Sequence, residues 1–169
     1  DQYVSEVPRT HGDLPNLPGT GAITAGAVAS IAFGERVSAV DGNVLRVATR
    51  TALLEGDIMD TRFRREMRQR MDQATPADRP GDFNQALMDL GATVCLPGGA
   101  PLCDACPLAG FCAAHAAGRE QSLPVKRKKA PRRLEEMTVF LLLHQDRVAL
   151  RKRPDTGLLA GLWEFPHVP

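Results

Sequence analysis

Four clustered cysteines constrain the fold of this chain more than any other feature. They lie within 18 residues and follow the pattern C-x7-C-x2-C-x5-C, at Cys95, Cys103, Cys106 and Cys112. A disulfide pair is one interpretation, but disulfides are typical of small secreted chains with little core, and 43% of this chain is hydrophobic. Clustered thiolates otherwise indicate a metal site, either tetrahedral zinc or an iron–sulfur cluster. The single C-x2-C pair, with a longer arm on each side, favours the cluster over zinc.

Length and charge narrow the class of protein. A chain of 169 residues is long enough for one domain, or for one domain and part of a second. No apolar run is long enough to span a bilayer and no signal peptide is recognisable, so we expect no membrane partner. The net charge of +1 excludes a uniformly basic surface. Because the first residue is Asp, we expect the natural start of the protein to lie upstream.

Periodicity predicts that the first two thirds of the chain is helical. Thr10 and Asp13 resemble an N-cap pair ahead of a short or distorted helix. Apolar spacing then predicts helices over 22–33, 44–54, 58–73 and 83–94. The third of these contains an arginine-rich run, 61–70, whose apolar residues recur at helical spacing as Phe63, Met67 and Met71. This pattern favours a solvated helix face over a binding patch.

The last third of the chain has a different character. Residues 137–144 and 147–154 are rich in β-formers and are separated by Gln145 and Asp146, which predicts a β-hairpin. Two strands alone are marginally stable in water, so we expect a second domain that is cut short. The preceding run 126–133, KRKKAPRR, has six cations and no apolar periodicity. It is predicted to be an exposed, basic linker.

A glycine-rich turn precedes the first long helix. In the stretch LPGTGAITAGA (17–27), Thr24 stands where a dinucleotide fingerprint needs its third glycine, and Gly26 is not followed by the lysine of a P-loop. What remains is a tight turn between two helices. Its N–H groups and the start of the second helix can hold a DNA phosphate without reading sequence.

One acidic residue, Asp41, lies between apolar neighbours and a turn. Its local role is the N-cap of a helix that starts near Asn43. A carboxylate at this position can also act on a cationic intermediate that forms beside it.

Together these stretches resemble the adenine DNA glycosylases, which belong to the helix-hairpin-helix superfamily of endonuclease III. The resemblance runs from about Val7 to Phe165 and rests on LPGTGAITAGAVASIAFG, VDGNVLRV, FNQALMDLGATVC and the four-Cys loop. It implies a mainly α glycosylase domain with an iron–sulfur loop, followed by the start of an α+β Nudix-like domain. The implied bounds are 1–116 for the partial helical domain (hairpin 10–33, iron–sulfur loop 95–112), 117–134 for a basic linker and 135–169 for the truncated Nudix-like 8-oxoguanine-recognition domain.

The resemblance also implies an activity. Members of this family flip adenine out of double-stranded DNA, where it is mispaired with 8-oxoguanine or guanine, and hydrolyse its N-glycosidic bond. Asp41 matches the carboxylate that stabilises positive charge on the sugar, and Asn43 matches a polar residue that orders the site. Ile23 stands where bifunctional lyases have a nucleophilic lysine, which implies a monofunctional enzyme. The residues that match the DNA-binding hairpin are Leu17, Pro18, Gly19, Thr20, Gly21, Ile23 and Thr24.

Further expectations follow from the same resemblance. The four cysteines would bind a [4Fe-4S] cluster, and the carbonyls of Leu17 and Thr20 would hold a monovalent cation. We expect a monomer that is cytoplasmic and associated with a bacterial nucleoid. The family's catalytic Glu would lie upstream of Asp1 and Glu6 does not replace it, so we expect negligible activity from these 169 residues alone. Trp163 and Phe165 are expected to be core residues. The alternatives are a non-catalytic DNA-binding module and a zinc-bound interaction domain.

Overall fold

The structure, a computed structural model, describes residues 6–127 and 134–168. The chain divides into two compact units, residues 1–128 and 129–169, which are described separately below. Residues 128–133, which belong to the predicted basic linker, lie outside the described residues. Within the described part of the chain, no helix is long and apolar enough to cross a membrane.

The first unit is built from helices joined by short turns. They are α1 (Ala22–Phe33), α2 (Gly42–Thr51), α3 (Thr61–Ala74), α4 (Pro80–Thr93) and the single turn α5 (Ala113–Ala116). The four predicted helices over 22–94 are confirmed to within one turn at each end. The helix predicted ahead of the glycine turn is only a 3-10 turn, Leu14–Asn16, with Pro15 in it. A proline there removes a backbone donor and opposes a longer helix.

Side chains from α2 and α3 form the larger apolar core. Val40, Val44 and Leu45 pack against Met67 and Met71, and Phe63 lies at the edge of this cluster. The predicted apolar stripe on α3 is therefore confirmed. A smaller cluster holds Leu14 against Ala25 and Ala29 of α1.

The segment between α1 and α2 is fixed by one buried amide, Asn84 of α4. Its Oδ1 accepts from the Ala39 N–H at 3.0 Å. Its Nδ2 donates to Ser30 Oγ at 2.8 Å and to the Val37 carbonyl at 2.9 Å. Because all three partners lie on α1 or just after it, this side chain ties α4 to the residues that lead into Asp41.

The backbone of α1 approaches the segment before α2 so closely that only glycine fits at position 26. A Cβ added at Gly26 of α1 would lie 2.5 Å from the Ser38 carbonyl oxygen. Ser38 is also held from α3, since Asp72 Oδ1 accepts from its N–H and its hydroxyl. The segment that precedes α2 is therefore clamped by α1, α3 and α4.

Paired two-residue strands make up the second unit. β1 (Thr138–Val139) pairs with β6 (His167–Val168), β2 (Leu143–His144) with β3 (Arg147–Val148), and β4 (Arg151–Lys152) with β5 (Trp163–Glu164), all antiparallel. The predicted hairpin is confirmed at β2 and β3, where Gln145 adopts a positive φ of 51° in the turn. The long strands predicted over 137–144 and 147–154 are each split into two short ones.

The expectation that Trp163 and Phe165 are core residues is wrong for this unit. Trp163 is 65% exposed and Phe165 is 41% exposed. The reason is that the ladders within 134–168 are only two strands wide, and such ladders cannot bury both faces of their side chains. An ion-pair cluster holds β4 to β5 instead, since Glu164 accepts from Arg151 at 2.8 Å and also from Arg153.

Replacing Asn84 tests how the approach to α2 is held. We expect Asn84→Ala to lower the free energy of unfolding by about 2–4 kcal/mol, because the buried Ala39 N–H and Val37 carbonyl lose their partner. Its exposed neighbour Gln85→Ala is the control and should change stability by less than about 0.5 kcal/mol. Urea unfolding of the two variants measures the difference. Equal midpoints would contradict a clamping role for Asn84.

Candidate functional site

The glycine turn has a geometry that its sequence explains. The Thr20 N–H donates to the Leu17 carbonyl at 3.1 Å, and Gly19 has a φ of +80°. Proline at the second position and a left-handed glycine at the third are typical of a type II turn. Gly21 is then the N-cap of α1. The predicted hairpin residues 17–21 therefore form one exposed turn that leads directly into a helix N-terminus.

Asp41 is the N-cap of α2, as its position in the sequence predicts. Its Oδ1 accepts from the Val44 N–H at 2.8 Å, and its Oδ2 accepts from Asn43 Nδ2 at 3.1 Å. Both oxygens are thus held in a fixed orientation by groups of the first turn. The positive end of the helix dipole also favours a negative charge at this position.

The structure brings the hairpin helix and the Asp41 turn together. Ile23, on the first turn of α1, shares one surface groove with Val40 and Leu45, which flank the Asp41 turn. Ile23 and Thr24 are exposed. The first turn of α1 and the residues on either side of Asp41 therefore line the same groove.

Arg46 of α2 joins the Asp41 turn to the cysteine loop. Its Nη2 donates to Asn43 Oδ1 at 2.9 Å and to the Gly91 carbonyl at 2.6 Å, while its Nε donates to the Cys95 carbonyl at 2.7 Å. The residue is only 7% exposed. Burial lowers the pKa of the Arg46 guanidinium, and the nearby charge of Cys95 opposes this shift. A continuous chain of hydrogen bonds thus runs from Asp41 to the first cysteine.

The four cysteines face a single pocket. Cys95, Cys103, Cys106 and Cys112 are half-buried, unbridged and all line this pocket together with apolar residues of α2 and α4. The structure thus has no disulfide among these four cysteines, in contrast to the disulfide interpretation. Four thiols around one apolar pocket fit the ligand set of a [4Fe-4S] cluster, in which each cysteine binds one iron.

A second buried arginine, Arg50, lies against this pocket. Its Nη1 donates to Cys95 Sγ at 3.3 Å and to the Leu96 carbonyl at 2.9 Å, and its Nε donates to the Leu123 carbonyl at 2.9 Å. The Cys112 thiol donates in turn to the Arg50 carbonyl at 3.5 Å. The end of α2 therefore contacts both the first and the last cysteine.

Two further donor groups lie beside Cys103. Its thiol donates to Glu120 Oε1 at 3.8 Å, and the same oxygen lies 2.6 Å from His115 Nδ1. Burial raises the pKa of the Cys103 thiol, and the Glu120 carboxylate adds to the rise. The hydrogen bond from His115 lowers the pKa of Glu120. These three side chains are close enough to hold a single metal ion.

Reasoning from the sequence missed these supporting residues. Arg46 and Arg50 are four residues apart on α2 among Val44, Leu45 and Val47, and that apolar setting was the available signal that both are buried. His115 and Glu120 follow the last cysteine closely. No local pattern indicates that either contacts Cys103.

Replacing Arg46 tests its bridging role. We expect Arg46→Met to lower the free energy of unfolding by about 3 kcal/mol or more, because buried carbonyls of Gly91 and Cys95 lose a charged donor. Arg70→Met is the control, since Arg70 forms only an exposed ion pair with Glu66; its expected cost is about 0.5 kcal/mol or less. Urea unfolding measures both. A similar loss in the two variants would contradict the role of Arg46.

The sequence of this chain is similar to those of curated DNA glycosylases. No family profile matches the chain. It is similar to the adenine DNA glycosylase of Arabidopsis thaliana, with 41% identity over 95% of this chain and 28% of that protein. It is also similar to the human adenine DNA glycosylase, with 36% identity over 99% of this chain and 39% of that protein. The chain therefore spans well under half the length of these curated relatives.

Solved structures show the same fold for the helical part. A thermostable thymine-DNA glycosylase matches with a TM-score of 0.57 and 30% identity, over 66% of this chain and 50% of that one. A trapped covalent intermediate of endonuclease III with DNA matches with a TM-score of 0.55 and 31% identity, over 67% of this chain and 51% of that one. The helical unit thus has the endonuclease III-like architecture. In the segment that it spans, this chain belongs to the adenine DNA glycosylase family.

Proposed function

We propose that the gene product containing this chain is a monofunctional base-excision repair glycosylase that removes adenine mispaired with 8-oxoguanine or guanine. The observation that supports this most is the geometry at Asp41. Its carboxylate is fixed by two hydrogen bonds and lies at a turn whose flanking residues share a groove with the hairpin helix. The hairpin and the carboxylate would then act on one DNA strand.

The proposed mechanism follows from the chemistry of the bond. The scissile N-glycosidic bond is inaccessible within the base stack, so the adenine nucleotide has to leave the duplex. Backbone N–H groups of the turn 17–21 and the start of α1 would hold phosphates during this step. As the bond breaks, positive charge develops on the sugar. Asp41, held by Asn43 and by the Val44 N–H, would stabilise that charge without having to reorient.

The side chain at position 23 supports a monofunctional reaction. One structural neighbour is a trapped covalent endonuclease III–DNA intermediate, and such a bond requires a nucleophile. Ile23, which lines the groove, offers none. We therefore propose that base release occurs by hydrolysis and leaves the DNA backbone intact.

We propose that the four-cysteine pocket holds a [4Fe-4S] cluster. Cys95, Cys103, Cys106 and Cys112 would be its ligands, and Arg50 would donate to the sulfur of Cys95. When bound, the cluster would crosslink the loop 95–112 through four iron–sulfur bonds. Because Arg46 holds the Cys95 carbonyl, this crosslink would also brace the first turn of α2.

The remaining expectations extend this proposal. We propose the domain bounds 1–116, 117–134 and 135–169, with the last region belonging to a Nudix-like domain that contacts 8-oxoguanine. The alignments with adenine DNA glycosylases support this, since they cover 95–99% of the chain and so include that region. A monovalent cation at the carbonyls of Leu17 and Thr20, a monomeric state and a bacterial, nucleoid-associated location stay predictions.

Replacing Asp41 tests the catalytic proposal. We expect Asp41→Asn, in the gene product that contains this chain, to abolish adenine release from a duplex with one 8-oxoguanine·adenine pair under single-turnover conditions. Asparagine is as good an N-cap as aspartate, so the helix should be retained while the charge is lost. Asp60→Asn is the matched control, because Asp60 caps α3 through the Arg62 and Phe63 N–H groups. It should release adenine at the parent rate.

The outcomes separate the enzyme from the alternative. Base release without strand cleavage in the parent, lost only in Asp41→Asn, supports a monofunctional glycosylase. Tight DNA binding with no adenine release in the parent would instead favour a non-catalytic DNA-binding module. In that case Asp41 would be a helix cap only.

Metal analysis tests the cluster. We expect the purified protein to be brown and to contain about four iron atoms per chain, with both properties reduced in Cys106→Ser. The Cys106→Ser variant should also have a lower midpoint of thermal unfolding, because it lacks one metal ligand and bound metal stabilises the folded state. Colourless protein with one zinc per chain would overturn the assignment and favour the zinc-bound interaction domain.

A further inference from the structure

The arginines of α3 are not neutralised by the acidic residues around them. Arg70 pairs with Glu66 at 2.8 Å. Asp60 caps the helix, and Asp72 accepts from Ser38. Among the described residues, Arg64, Arg65 and Arg68 form no ion pair. The acids of this helix are thus engaged elsewhere, and Arg64, Arg65 and Arg68, like Arg62 at the start of the helix, have no ion-pair partner among the described residues.

Those three arginines share one face of α3. Thr61, Arg64, Arg65 and Arg68 follow an i, i+3, i+4, i+7 spacing, which places them along one side of a helix. Met67 and Met71 point into the core from another side. Like charges at i, i+3 and i, i+4 repel one another. An anionic partner bound to this face would relieve the repulsion among its three cations.

This face forms one wall of the groove beside the candidate active site. The groove has a volume of about 310 Å³. Its opposite wall is formed by Ile23 of the hairpin helix and by Val40 and Leu45, on either side of the Asp41 turn. No acidic residue lines it among the described part of the chain. The groove therefore combines a cationic wall with an apolar wall whose residues come from the hairpin helix and from either side of Asp41.

We propose that Arg64, Arg65 and Arg68 form a phosphate-binding wall for the DNA strand whose nucleotide is presented to Asp41. This rests on the proposed function, because it assigns the partner of the same site. Guanidinium groups bind phosphate oxygens in a planar, bidentate manner. The hairpin turn holds the strand from one side of the groove, and the arginine wall holds it from the other. Continuity with the hairpin favours DNA over an acidic protein as the occupant.

The test compares two variants of the gene product, each of which loses three positive charges. The first replaces the wall, Arg64→Gln/Arg65→Gln/Arg68→Gln. The second removes three cations outside it, Arg62→Gln/Arg70→Gln/Arg79→Gln. Binding to a short duplex, with and without an 8-oxoguanine·adenine pair, is titrated over a range of salt concentrations. Circular dichroism and thermal unfolding check that both variants fold.

We expect the wall variant to lose about 10-fold or more in affinity for both duplexes, and its slope of log K against log salt to become shallower by about 2–3. The control variant should keep nearly the parent slope. A third variant with lysine at 64, 65 and 68 should recover most of the slope, because lysine also binds phosphate as a point charge.

Several results would overturn the proposal. They are equal losses in the wall and control variants, an unchanged slope in the wall variant, or failure of the lysine variant to recover the slope although it folds. Binding of an acidic protein in place of DNA by the parent would do the same. Failure of the proposed function is a separate result, since a parent that binds DNA through the wall but releases no adenine leaves this inference intact.

Discussion

The buried guanidinium of Arg46 is the interaction on which the arrangement of the helical unit depends. It lies in the interior and donates to oxygens in three parts of the chain, namely the first turn of α2, the end of α4 and the first residue of the cysteine loop. A charge in this position is tolerated only when its donors are satisfied. The carbonyls of Gly91 and Cys95 likewise need a hydrogen-bond donor, and Arg46 provides it. Arg46 therefore fixes the relative position of the Asp41 turn and the cysteine loop together with Arg50.

Helix α2 connects the Asp41 turn to the cysteine loop within ten residues. Its N-cap is the carboxylate of Asp41, its middle is Arg46 and its end is Arg50, which contacts Cys95 and receives a hydrogen bond from Cys112. A helix is stiff over this length, so a displacement of the cysteine loop is transmitted to the first turn. A cluster in the four-cysteine pocket would therefore stabilise the site at a distance, without contact with the substrate.

The groove beside the Asp41 turn is lined by two kinds of side chain. Its apolar wall comes from the residues that flank the hairpin helix and the Asp41 turn, and its cationic wall comes from one face of α3. The core of α3 uses Phe63, Met67 and Met71, whereas Arg64 and Arg65 are exposed and Arg68 is half-buried. The core residues and the proposed phosphate-binding residues thus lie on different faces of the same helix. The second unit differs again, because its short ladders leave Trp163 and many aliphatic side chains exposed.

Much of the helical unit could be predicted from the sequence because its determinants are local. Apolar spacing placed α1 to α4, the pattern Leu-Pro-Gly-Thr predicted the turn, and the position of Asp41 before a helical run predicted its capping bond. The clustering of four cysteines predicted that they share a site. Resemblance to the adenine DNA glycosylases added the family, which the comparisons confirm.

Only the tertiary structure decided the contacts that join these elements. Arg46 reaches Cys95 across 49 residues of sequence, Arg50 reaches Leu123 across 73, and Asn84 reaches Ala39 across 45. Local periodicity reports which face of a helix is apolar, but it contains no information about which distant carbonyl a buried arginine will meet. For the same reason the arginines of α3 were predicted as a solvated face. Arg64 and Arg65 are exposed, as predicted, and only the tertiary structure shows that this face lines a groove together with Ile23, Val40 and Leu45.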